Sequence, residues 1–290
     1  PRSTLFPYTT LFRSSAPPEM TAAGVGDLLA RNVAQADWKL SQLLRGKYYC
    51  PVPYEMMASY QAKLLPLAEA LSHNDLAAMN VLAQADLVSG YSMTIIDGET
   101  SPSSGGEHII SHFFDLQHDL YGLPKNLHGT QVGFGTLLTS NAFEMLREMS
   151  PVDFNVDELV RRRPSLAEWQ QEHAEKFGAQ AQTFDANVAK KRIPDETFAA
   201  YLTELFDSWD ELWAEIDPLL MPAAEVRRIL EAAGAVTTLS GLSRSQADAI
   251  QALIYSSRYR SRYTILDLLW ELGLFPEIAP KILERAGVVD

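Results

Sequence analysis

The chain has 290 residues, 47% of them hydrophobic, and carries a formal net charge of −13 at pH 7. It is long enough for one large domain or two ordinary ones and can bury a sizeable core. The acidic balance argues against nucleic acid as a partner, because phosphate contacts need a basic face, and the single cysteine, Cys50, excludes an internal disulfide framework and any cysteine-rich zinc site.

Residues 1–14 read PRSTLFPYTTLFRS and show neither a helical period nor strand alternation. They resemble translated adapter or vector sequence and are set apart from the fold as an expected disordered artefact; the other reading is a natural flexible tail. The start lacks the basic end, apolar run and small-residue cleavage site of a secretory signal. No apolar run reaches about 18 residues, so no membrane span is expected. With one cysteine, the expected compartment is the cytoplasm.

After a linker at Ser15 to Pro18, Gly24-Val25-Gly26-Asp27-Leu28-Leu29 leads into a helix to about Leu44. Leu28, Val33, Ala36, Leu40 and Leu44 form its buried stripe. Asp27 falls in the expected first turn, where a carboxylate is favoured by the helix dipole. Gly46 to Pro53 breaks the helix with two prolines. A helix from Tyr54 to about Ser72 follows, then a turn and cap at His73-Asn74-Asp75, and a helix from Leu76 to about Ile96. Asp97-Gly98 is a turn signal. Ser101 to Ser104 supplies the N-cap of a helix from Gly106 to Tyr121. His128 and Gly129 open the next helix, which runs to about Met149.

Beyond Pro151 the spacing predicts helices at about 155–162, 165–190, 195–217, 222–233, 243–256, 262–273 and 276–286. Pro194, Pro222, Gly234, Gly241 and Gly273 punctuate them. No segment alternates with β-branched residues over a strand length. The expected fold is all-α, with a core at 15–150 that carries the histidine-rich stretch and a helical extension of the same domain at 151–290.

Four of the six histidines lie between Ser103 and Gly135. His108 and His112 are four residues apart, on one face of a helix. His128 opens the following helix. Two histidines from consecutive helices can meet at one metal ion, with Asp27 as a carboxylate beside two glycines that permit close approach. Two neutral imidazoles and one carboxylate leave an open position, as catalytic sites require. The plain alternative is a pair of half-buried histidines and a helix-start acid. His118-Asp119 is an HD dipeptide of the kind that seeds metal-dependent phosphohydrolases, or else two residues on a solvated helix face. No glycine-rich dinucleotide turn, P-loop or nucleophile elbow is present.

Three motifs, taken together, resemble the helical domain of the sn-glycerol-1-phosphate dehydrogenases, within the iron-containing alcohol dehydrogenase and glycerol dehydrogenase superfamily. Gly24-Val25-Gly26-Asp27 with Ala36-Asp37-Trp38 is similar to that domain's start. Ser104-Gly105-Gly106-Glu107-His108 through His112, and Leu127-His128-Gly129-Thr130-Gln131-Val132-Gly133, are similar to its two histidine motifs. Arg262-Tyr263-Thr264 through Asp267, followed by Glu271-Leu272-Gly273, is similar to its C-terminal signature. The resemblance covers about Ser15 to Gly273.

The resemblance implies a dehydroquinate synthase-like, glycerol dehydrogenase-like C-terminal domain whose N-terminal α/β nucleotide-binding domain is missing here. It implies that Asp27, His108 and His128 hold zinc, or else nickel or iron. It implies that His112 faces the substrate as the catalytic histidine and that Asp27 touches substrate as well as metal. The implied reaction is NAD(H)- or NADP(H)-dependent reduction of dihydroxyacetone phosphate to sn-glycerol 1-phosphate, a lipid-backbone precursor, by a possible homo-oligomer. Glycerol dehydrogenase, a dehydroquinate-synthase-like lyase and a non-catalytic metal-binding module are the alternatives. Arg31 and Arg262 are cations that could meet a phosphate, with no assignment between that and a structural ion pair. Loss of the partner domain is expected to uncover an apolar wall at Gly24–Leu28 and Ser103–His112.

Overall fold

The computed structural model describes residues 16–96 and 100–289; the tail at 1–14 and the turn expected at Asp97-Gly98 lie outside them. Among the described residues there is no strand. The longest helix, α1 (Pro18–Arg45), starts with proline in its first turn and Glu19 beside it, and ends on Gly46 in the left-handed conformation, φ 60°. It begins six residues before the expected Gly24. Asp27 therefore stands in the body of the helix, and the helix-start reading of that acid fails.

Next come α2 (Val52–Leu64), α3 (Ala68–Ser72) and α4 (Leu76–Thr94). The single helix expected from Tyr54 to Ser72 is split by a tighter turn at Leu65–Leu67 that contains Pro66. Asp75 caps α4 as expected, accepting from the Ala78 N–H at 2.9 Å. Then follow α5 (Gly106–Tyr121) and α6 (His128–Arg147).

The second half holds α7 (Val156–Arg162), α8 (Leu166–Phe177), α9 (Ala181–Ala189), α10 (Asp195–Asp207) and α11 (Trp209–Ile216). It closes with α12 (Ala223–Ala232), α13 (Gln246–Tyr259), α14 (Ile265–Glu271) and α15 (Ile278–Arg285). The expected helices at 165–190 and 195–217 each break in two, at Gly178 and Ser208.

α1 packs against α6 along much of its length, and α5 fills the angle between α6 and α13. Phe113, Phe114, Phe134 and Phe143 are wholly buried there, each worth about 2–3 kcal/mol of apolar burial. One hydrophobic cluster runs from Val25 to Val288 through both halves of the chain. The apolar wall expected to be uncovered is instead packed inside this cluster: Val25 and Leu28 are 1% and 8% exposed.

A buried carboxylate ties the layers together. Asp37 of α1 accepts from the Gly106 N–H of α5 and the Ile265 N–H of α14, both at 2.6 Å. The first turn of α5 is thus capped from a distant helix. Its N-cap is Gly105, not one of the expected serines, and the Gly105 N–H is taken by Glu107 at 2.6 Å. A side chain at Gly105 would run into the Asp37 carboxylate.

Candidate metal centre

α1 and α6 cross backbone to backbone. A Cβ on Gly26 would overlap the carbonyl oxygen of Gly129, and one on Gly133 would lie 2.9 Å from the Gly26 Cα. This crossing brings Asp27, next to Gly26, beside His128, next to Gly129. On the other side of α6, a Cβ on Gly135 would lie 2.6 Å from the Glu107 carbonyl oxygen. That contact draws in the first turn of α5, with His108.

The three side chains converge. Asp27 Oδ1 is 3.3 Å from His108 Nε2 and 3.9 Å from His128 Nε2. One ligand atom from each residue can be chosen so that all lie within 4.8 Å of one another. A tetrahedral ion with metal–ligand bonds of about 2.1 Å has ligand atoms about 3.4 Å apart, so small adjustments suffice to seat one. The far sides of both rings are engaged. His108 Nδ1 donates to Glu107 Oε1 at 2.8 Å, and His128 Nδ1 faces Ser111 Oγ at 3.3 Å. Such outer partners fix the tautomer and turn each Nε2 lone pair inward.

The electrostatics follow from this packing. For His108, burial works against the charged ring, but hydrogen bonds to Asp27 and Glu107 prevail and raise it to about 9. For Asp27, burial opposes ionisation, yet His108 and His128 outweigh it and hold the carboxyl below its ordinary range. Burial, then the charge of His108, lowers His128. Metal-free, the site keeps a proton on His108 where a cation would sit.

His112 lies one turn beyond His108, with ring centres 6.3 Å apart, and stacks with His128 at 6.0 Å. Burial, followed by the Arg260 charge, lowers it to about 4. Arg260 Nε donates to His112 Nδ1 at 3.3 Å. This leaves the neutral ring's proton on Nε2.

Sequence reasoning passed over four side chains around the site: Glu107 as the His108 partner, Ser111, Arg260 and Asp86. Asp86 on α4 is partly open to solvent, yet desolvation and then Asp27 push its carboxyl up to about 6. The adjacency of Glu107 to His108 was the one available signal; the others come from tertiary packing. The HD dipeptide stands apart from this cluster, with His118 Nδ1 donating to the Leu123 carbonyl at 2.6 Å. Arg31 is buried against the Tyr54 ring, 4.2 Å from its centre, and donates to Gln61. Arg262 donates to the carbonyl and hydroxyl of Ser104.

No protein-family model matches the chain. The chain is similar to glycerol-1-phosphate dehydrogenases (NAD(P)+). That of Halalkalibacterium halodurans is 32% identical over 133 residues, 46% of this chain and 33% of the relative. That of Bacillus subtilis is 33% identical over 146 residues, 50% and 36% of the two chains. That of Staphylothermus marinus is 34% identical over 125 residues, 43% and 34%. The chain thus spans about a third of the length of the curated relatives it matches.

Proposed function

We propose that these helices form the metal-binding part of an enzyme that reduces dihydroxyacetone phosphate to sn-glycerol 1-phosphate with NAD(H) or NADP(H), in lipid-backbone synthesis. The observation that supports this best is the convergence of Asp27, His108 and His128 beside a neutral His112, in a chain similar to dehydrogenases of that name.

Asp27, His108 and His128 would hold the ion. Two imidazoles and a carboxylate suit zinc and also admit nickel or iron. When bound, such an ion supplies Lewis acidity toward the carbonyl and hydroxyl oxygens of the substrate.

The chain's own residues do the rest. Glu107 and Ser111 orient the two ligand rings. Arg260 holds the His112 ring by its Nδ1, so the Nε2 proton is available to a substrate oxygen. Asp27 stands at the same mouth and can accept from a substrate hydroxyl. In this reading 15–150 is the metal-binding core, 151–290 its helical extension, and the nicotinamide is held by a nucleotide-binding domain outside this sequence. The enzyme works in the cytoplasm as a homo-oligomer. No described helix is long and apolar enough to cross a membrane.

The test joins the chain to the nucleotide-binding domain of a relative, loads it with zinc and follows NADH oxidation with dihydroxyacetone phosphate. Turnover that is lost on His112→Ala is the expected result. No oxidation by a folded, metal-loaded fusion would count against the dehydrogenase. Faster NADH oxidation with unphosphorylated dihydroxyacetone would move the assignment to glycerol dehydrogenase.

A further inference from the structure

A cavity of about 770 Å³ lies between the C-terminal end of α1, the 190–194 segment and the 261–263 segment. In a chain of net charge −13 its lining is basic. Arg45, Lys47, Lys190, Lys191, Arg192 and Arg262 line it, and among the described residues no carboxylate does. Its volume is that of a small-molecule site.

Three of these cations are paired with carboxylates that do not line the cavity. Arg45 pairs with Glu271, Lys191 with Asp267 at 2.5 Å, and Arg192 with Asp195 at 2.8 Å. Lys47 and Lys190 are exposed and have no carboxylate partner among the described residues. The end of α1 next to Lys47 offsets little, since a helix C-terminus carries about half a negative charge against two whole lysine charges. A concave wall also focuses the field of these cations into the space they enclose. The same space is faced by Trp38 and Tyr48 and by the hydroxyl-bearing Ser41 and Ser261. Cations, hydroxyls and aromatic faces around one concavity are the groups that recognise a phosphate ester with an attached ring or short chain.

We propose that this cavity binds a phosphate-bearing small molecule at a site separate from the metal centre. It shares no lining residue with Asp27, His108, His112 or His128. The site therefore stands or falls apart from the dehydrogenase reading.

The test is calorimetric titration of the full chain with inorganic pyrophosphate in low salt and EDTA, beside Lys47→Gln/Lys190→Gln and Asp27→Asn. Both lysines are exposed, so the double variant keeps its fold, which circular dichroism checks. Saturable binding of one pyrophosphate per chain is expected, weakened about tenfold or more, about 1.4 kcal/mol, by the lysine pair and unchanged by Asp27→Asn. No saturable heat with the wild-type chain at millimolar ligand overturns the proposal. So does binding that ignores the lysines, or binding that is lost with Asp27. Vesicles carrying phosphatidic acid separate a lipid-borne phosphate from a free one. Sedimentation with vesicles in the absence of pyrophosphate binding would overturn the small-molecule occupant.

Discussion

Glu107 has no exposed surface, and its carboxylate accepts a hydrogen bond from His108 Nδ1 at 2.8 Å while also taking the N–H of Gly105 at 2.6 Å. One side chain thus caps the helix and turns the ring. Glu107→Gln keeps an oxygen for both bonds, removes the charge and replaces the buried, unpartnered Oε2 with an NH2. Metal affinity should fall about 10- to 100-fold, the usual effect of losing an outer partner, with circular dichroism unchanged. Competition against a zinc chelator measures it. An unaltered affinity would mean that Glu107 serves the cap alone.

Gly26 is where the helix crossing sets the geometry of the centre. In Gly26→Ala the new methyl meets the Gly129 carbonyl, a backbone atom that cannot step aside. α1 and α6 must separate, which carries Asp27 away from His128. Overpacking of this kind costs about 1–3 kcal/mol. Zinc affinity should drop more than stability does. A variant that retains full affinity would show that Asp27 and His128 do not depend on the close crossing.

The same crossing shows why part of the site was legible and part was not. Asp27, His108 and His128 each sit in a short motif whose residue types announce metal chemistry. Gly26, Gly129 and Gly133 flank them at helical spacing. α5 was readable to its ends because Gly105 and Gly122 stand just outside it. The start of α1 was misread because Gly24 and Gly26 look like a helix boundary when they are a contact surface. Partnerships between distant residues, such as Arg260 with His112, have no local signature. Asp37 is the same case: an aspartate in mid-helix looks like a surface acid, yet it receives the ends of two other helices.

Asp37→Ala should therefore destabilise the fold without touching the metal ligands. It leaves the Gly106 and Ile265 N–H groups buried with no acceptor, at about 1–3 kcal/mol each. Desolvation, then Glu107, already pushes the Asp37 carboxyl well above its ordinary range, so the net loss should fall toward the lower end. Urea denaturation reads it as a lower midpoint with an unchanged slope. A midpoint equal to wild type would show that water or a shift of α14 replaces the cap.

Arg260 should contribute to the low titration of His112, after burial. Burial is the first cause of its depression to about 4, and the Arg260 guanidinium is the second. Arg260→Leu removes the second and leaves the first. In the metal-free protein the His112 titration, followed by NMR of the ring protons, should move up from about 4 but stay below 6.5, the ordinary value. No upward movement would assign the depression to burial and the other histidines. It would also release Arg260 from the positioning role given to it above.

The raised titration of His108 predicts that stability falls with pH in the metal-free protein and stays level in the zinc-loaded one between pH 6.5 and 9. In the metal-free protein its folded value, about 9, exceeds the ordinary 6.5. The ion pair with Asp27 and Glu107 therefore contributes in full below pH 6.5 and is lost as pH rises through 9. Asp27 is half open to solvent, so screening keeps this contribution to about 2 kcal/mol. A metal ion needs the neutral ring, so binding expels that proton, and zinc affinity should rise about tenfold per pH unit until pH 9. Thermal melts in a zinc buffer should thus show a gap between loaded and metal-free protein that widens from pH 6.5 to 9. Mutating His108 to Gln should abolish the fall in the metal-free protein and with it the widening of the gap. A gap that stays constant across this range would mean that His108 is already neutral at pH 6.5 and that Asp27 and Glu107 do not hold its proton.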